Sequence, residues 1–276
     1  MKKSILQMLA AMLVSVIAVG QGQQRENDVE IIVKGPVEFI VKDFAGRMTG
    51  FDPRSETYFK EIPGASYGTG GVDTEDPTVP AIVIQEFGFG TGSPSPGKYS
   101  VSLIGTGLGV FEGRIVVTRL LSSSTGASFV FKGIINRNQV VGYLFVFAPD
   151  SANPLTAEKE VPSSILRQDL DNSYKLKLLG EKELHRDLSH RLDKLEQYLS
   201  DKDSAKAHHE LEKFGEKIED VRDQTIKTEQ KKQKPLKHFI TADAYQILQE
   251  DVNALLKQLP DEKKGKKEKD DDKGDD

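Results

Sequence analysis

Cysteine and tryptophan are both missing from the 276 residues. Without cysteine there is no disulfide framework, thiolate zinc site, thiol nucleophile or iron–sulfur ligation. A lipid-anchored cysteine is excluded as well. Apolar residues, at 37%, are too few for a chain packed along its whole length, and 29% are charged, so part of it is expected to stay solvated. Nor is there an excess of positive charge. Against 38 Lys and Arg stand 43 Asp and Glu, a net charge of −5. That argues against a partner held by phosphate neutralisation, so no nucleic acid is expected.

Long hydrophobic runs are also scarce, and the one present is at the amino end. Lys2 and Lys3 precede an apolar run from Ile5 to Val19, followed by small residues and the polar stretch Gln21 to Asp28. Charged start, apolar middle and small residues at −3 and −1 form a secretory signal, here 1–22, with cleavage after Gly20 or Gly22. The rival is an uncleaved membrane anchor, but the run is about 15 residues where a spanning helix needs about 20. Taking Lys2 and Lys3 from the 38 basic side chains leaves 36 against 43 acidic, a net charge of −7. The expectation is an exported, acidic protein, secreted or periplasmic, with no membrane span after cleavage.

Residues 28–149 read as one antiparallel β-sandwich. Short apolar runs recur at Val29–Val33, Val37–Val41, Ala81–Ile84, Tyr99–Ile104, Val110–Val117, Ser128–Ile134 and Val140–Phe147. In Tyr99-Ser100-Val101-Ser102-Leu103 the alternation is strict, giving one buried and one wet face. Turn residues such as Gly35-Pro36 separate the runs, and no crossover helix fits between them. The insert from Asp43 to Pro80 reads mostly as loop, with one strand around Thr57–Lys60.

Past Pro149 the period changes. Residues 150–180 read as a linker, and 181–260 carry three helical stripes. Leu184, Leu188, Leu192, Leu195 and Leu199 form the first; Ala207, Leu211, Phe214, Ile218 and Val221 the second. Ala244, Ile247 or Leu248, Val252, Leu255 and Leu259 form the third, with Thr241 as N-cap and Pro260 as stop. Three such stripes imply a three-helix antiparallel bundle. Residues 261–276 contain only Lys, Asp, Glu and Gly, the composition of a disordered charged tail. The fold class is therefore multidomain, all-β followed by all-α.

The spacing Leu188-x-x-x-Leu192-x-x-Leu195-x-x-x-Leu199, then Ala207, Leu211, Phe214 and Ile218, then Ile240-Thr241 opening a helix with Leu248, resembles the FIMAH domain. That domain is a helical module near the carboxyl end of many bacterial secreted proteins. The resemblance covers about 75 residues and implies an accessory module without catalytic residues. Gly97-Lys98-Tyr99-Ser100-Val101-Ser102-Leu103-Ile104-Gly105 is similar to a late strand of immunoglobulin-like and pre-peptidase carboxyl-terminal modules. It implies a non-catalytic sandwich used for adhesion or polysaccharide contact.

The residues offer little catalytic chemistry. His185 and His190 lie on different faces of one helix, His208-His209-Glu210 is not a His-Glu-x-x-His site, and His238 stands alone. All five read as surface histidines. Asp73, Glu75 and Asp76 could hold calcium but equally read as a solvated acidic loop. Gly105-Thr106-Gly107-Leu108-Gly109 reads as a strand-linking turn, and Ser122-Ser123-Ser124-Thr125 has no nucleophile frame. Tyr58, Phe59, Tyr67, Phe87 and Phe89 could stack on sugars or fill the sandwich. No catalytic, cofactor-binding or metal-ligating residue is assigned and no cofactor is expected. The reading is an exported non-enzymatic binding, adhesion or structural module with an envelope, matrix or glycan ligand, its contacts in the loops 43–80 and 88–97. Its rival is a polysaccharide hydrolase with two acids from the β loops.

Overall fold

The computed structural model describes residues 27–72, 82–89, 94–119, 126–231 and 237–259. The expected signal segment 1–22, the acidic residues Asp73, Glu75 and Asp76, the serine run 122–125 and residues 261–276 lie outside the described residues.

Eleven strands come first: β1 (Asn27–Lys34), β2 (Val37–Lys42), β3 (Met48–Asp52), β4 (Thr57–Lys60), β5 (Ala65–Val72) and β6 (Ile82–Phe89), then β7 (Gly97–Gly105), β8 (Gly109–Arg119), β9 (Ala127–Ile135), β10 (Val140–Phe147) and β11 (Leu155–Glu160). They form two antiparallel sheets, ordered β5-β6-β1-β8-β9 and β11-β10-β7-β2-β3-β4. Alternation sets which face is buried. Val29, Ile31 and Val33 of β1, Val37, Phe39 and Val41 of β2, and Tyr99, Val101 and Leu103 of β7 all point inward. Burying each such side chain contributes roughly 1.5–3 kcal/mol. Aromatic pairs join the two inner faces: Phe39 meets Tyr67 edge-on at 5.0 Å, and Phe131 meets Tyr143 at 4.4 Å.

Two glycines make room for rings. Gly133 pairs with Phe111 across β8 and β9, and a Cβ on Gly133 would sit 2.3 Å from the Phe111 ring. Gly113 is related to Phe131 in the same way. An aromatic thus covers each bare backbone position.

The insert after Asp43 differs from its reading as loop: it holds β3 and β5 besides the expected β4. Their sequences, Met-Thr-Gly-Phe-Asp and Ala-Ser-Tyr-Gly-Thr-Gly-Gly-Val, are too rich in glycine and too poor in apolar residues to announce strands. Partner strands β2 and β6 supply the order.

Four helices follow: α1 (Ser163–Lys175), α2 (Lys182–Ser200), α3 (Ser204–Gln230) and α4 (Ala242–Gln258). The stripes of α2, α3 and α4 are buried as their spacing requires, except that Leu199 and Leu259 at their ends are half-buried. Thr241 caps α4, its hydroxyl accepting from the Ala244 amide at 3.3 Å. Residues 150–180, expected to be a linker, instead carry β11 and α1. β11 extends the second sheet beside β10, and α1 packs against α2, α4 and β9. The helical part rests on the sheet edge. Between α3 and α4 the chain is tied back to the start of α2, where Gly180 donates to Phe239 at 2.8 Å and Thr241 to Leu178 at 3.0 Å.

Candidate functional site

Where α4 lies over β9, β10 and β11 there is a groove of about 530 Å³. Its apolar lining includes Phe129, Val130 and Phe131 of β9, Tyr143 of β10, Ala157 of β11 and Ala254 of α4. Glu158 and Lys159 of β11 and Glu250, Asn253, Lys257 and Gln258 of α4 add polar groups. The rings are fixed by one another: Phe129 stacks on Phe131 at 6.1 Å, and Phe131 meets Tyr143. Phe131 and Tyr143 are almost fully buried, Phe129 half so. Val130, between Phe129 and Phe131 in the strand, is 73% exposed.

Beneath the groove a charged cluster is buried. Lys159 Nζ donates to Asp251 Oδ1 at 2.5 Å and to Asp169 Oδ2 at 3.3 Å. Both aspartates are wholly inaccessible. Burial opposes the charge on Lys159, but the two carboxylates outweigh it and raise the lysine pKa. Burial, with the charge of Asp251, pushes the Asp169 carboxyl well above the usual range. Burial raises the Tyr143 phenol in the same way, helped by Asp251, Asp169 and Glu250. Asp169 Oδ1, Asp251 Oδ2 and the Tyr143 hydroxyl are among the buried oxygens without a hydrogen-bond partner among the described residues. The cluster can exchange a proton internally, but its carboxylates have no surface to offer a substrate.

A second polar network closes the opposite side of the sheets. Tyr67 donates to Glu38 through a very short hydrogen bond, Gln85 Nε2 donates to Glu38 at 3.2 Å, and Thr69 donates to Gln85 at 2.9 Å. Burial raises the Glu38 carboxyl, against the lowering effect of Tyr67. Every hydrogen-bonding group here is engaged with another.

The residues singled out from sequence scatter. Phe87 and Phe89 fill the core, and Tyr67 packs against it. Tyr58 is 71% exposed and lies against Phe51 at 4.4 Å, and Phe59 is half-buried. The glycine run at 105–109 links β7 to β8. His185 accepts from or donates to Asp171 at 2.8 Å and stacks on Tyr174, while His208 and His209 both face Glu212. His238 approaches Glu181 and Glu183 at 3.8 and 3.7 Å. These three are exposed and near enough to share an ion, but they are paired with one another as ordinary surface charges.

Sequence reasoning missed Lys159, Asp169 and Asp251. The signal was present. Asp251 sits between Ile247 and Leu255 on the α4 stripe, Asp169 follows Ile165 by one turn in α1, and Lys159 falls between Ala157 and Val161 in the inward register of β11. A charge in an apolar register marks either a partner or an error, and here three such charges meet.

Comparison with known proteins gives no match to a family model, a curated protein or a solved structure. Among the described residues no helix is long and apolar enough to cross a membrane.

Proposed function

We propose that the chain is an exported, non-catalytic binding protein, secreted or periplasmic, that holds a saccharide of the envelope or matrix in the groove under α4. In this reading the two sheets are a β-sandwich and α2, α3 and α4 a FIMAH-like accessory bundle. The observation that carries it is the lining of the groove: the half-buried Phe129 ring beside amide, carboxylate and ammonium groups. A sugar ring has the same division, with C–H faces that rest on aromatics and hydroxyls that reach polar groups. This reading takes the seam between sheet and helices as the site in place of the loops 43–80 and 88–97.

The non-catalytic part is supported by the burial of Asp169 and Asp251, which face Lys159 rather than the groove. The hydrolase reading draws on one observation, that Glu158 of β11 and Glu250 of α4 both line the groove. A glycan array probed with the mature chain tests the proposal. Retention on a saccharide class, lost in Phe129→Ala and Asn253→Ala, supports it; no retention on any saccharide removes it. Turnover abolished by Glu158→Gln or Glu250→Gln would replace it with the hydrolase.

A further inference from the structure

Lys159, Asp169 and Asp251 come from β11, α1 and α4, so their contacts fasten two helices to the edge of the second sheet. The side chains are 9%, 1% and 0% exposed. With both carboxylates ionised the cluster carries a net negative charge where water cannot screen it, an arrangement that costs far more than a neutral one. One proton restores neutrality.

The geometry says where that proton sits. Asp251 is the closer acid to Lys159, at 2.5 Å against 3.3 Å for Asp169, and burial raises the Asp169 carboxyl, so the proton is placed on Asp169. Lys159 occupies one oxygen of each acid. The oxygens left over, Asp169 Oδ1 and Asp251 Oδ2, are two of the buried atoms without a partner. Both acids reach the same ammonium group, so their carboxyls are neighbours. A proton on Asp169 donated to Asp251 satisfies both oxygens at once.

We infer that this shared proton is a structural clamp holding α1 and α4 on the sheet, and that its loss as pH rises loosens the helical layer. The other groups facing the pair reinforce the effect. Tyr143 from β10 is neutral and adds no positive charge, and Glu250 from α4 is acidic; Lys159 from β11 is the cation paired with both acids. Two other ties keep α4 near the sheet whatever the state of the pair: Lys132 to Asp243 at 2.8 Å, and Gln258 to the Val161 carbonyl at 3.3 Å. Loosening therefore stops short of separation. Tyr143 and Lys159 also line the groove, so its shape would follow the clamp. Only that last consequence rests on the binding reading.

The sign follows from linkage. In the unfolded chain Asp169 ionises at about pH 4. In the folded chain it stays protonated to higher pH. Above about pH 4 the folded state thus holds one more proton, and stability falls with pH until Asp169 itself ionises. While that holds, the folding equilibrium loses roughly tenfold per pH unit from this group.

The test compares thermal unfolding of the mature chain with Asp169→Asn from about pH 5 to about pH 9. Asparagine carries a permanent N–H where the proton sits, and its carbonyl still accepts from Lys159. The wild type should lose ground to the variant steadily as pH rises. Parallel curves, or a wild type that gains on the variant with pH, would mean an ordinary ionised salt bridge and overturn the clamp. Should the variant not fold, amide exchange in the wild type decides, corrected for intrinsic rates. Protection in α1 and α4 should fall at high pH relative to β1 and β8, and an unchanged ratio overturns the inference. Saccharide binding at the same pH values keeps the two proposals apart: a clamp without binding removes only the groove reading.

Discussion

The ring of Phe131 in β9 lies 4.4 Å from that of Tyr143 in β10, although the two strands belong to different sheets. This contact joins the inner faces at the end where the helices dock. Replacing Phe131 by alanine should therefore cost about 3 to 5 kcal/mol of stability, the usual loss for a buried phenylalanine. Denaturant titration of the chain measures it, and a loss below about 1 kcal/mol would show that the ring is dispensable.

The reverse change, adding volume, should also destabilise. A methyl group on Gly133 would meet the Phe111 ring at 2.3 Å, and both residues are buried. Gly133→Ala should cost about 1 to 3 kcal/mol. The companion Gly133→Ala/Phe111→Leu double variant should recover part of that loss, which a backbone effect of alanine alone would not allow.

At the start of α4, Thr241→Ala removes the cap on the Ala244 amide. The expected loss is about 1 kcal/mol. Thr241→Asn should restore most of it, because asparagine caps as well as threonine.

The fold was legible where one period ran without interruption. Val29, Ile31 and Val33, or Leu184, Leu188, Leu192 and Leu195, needed nothing beyond their spacing to be placed on buried faces. It was illegible where pairing rather than composition supplies the order. β5 contains Gly68, Gly70 and Gly71 and is a strand because β6 lies beside it. α1 shows only Ile165, Leu166 and Leu170 as apolar guides, and its remaining buried positions are Asp169, Asn172 and Ser173. The groove was invisible for a related reason. Phe131, Ala157 and Ala254 are distant in sequence, and α1 with β11 brings them together from a stretch that reads as a linker.

Alkaline conditions should act on the sheets as well. Burial pushes the Tyr99 phenol up to about 12, with Asp43 adding to the effect, and its hydroxyl donates to the Ser95 carbonyl at 2.6 Å. The unfolded phenol ionises near 10. The folded state therefore keeps a proton that the unfolded state gives up, and stability falls as pH rises from about 10 to about 12. Tyr99→Phe should be about 1 kcal/mol less stable at neutral pH, from the lost hydrogen bond, yet decline less steeply above about pH 10. Melting temperatures of both chains across that range check the crossing slopes.

The most direct measurement is a chemical-shift titration of the chain with fragments of whichever polysaccharide the array retains. Binding in the groove should move the signals of Phe129, Ala157, Asn253 and Ala254, and leave those around Tyr58 and Phe51 in place. Shifts confined to Tyr58 and Phe51, or none at saturating saccharide, would contradict it.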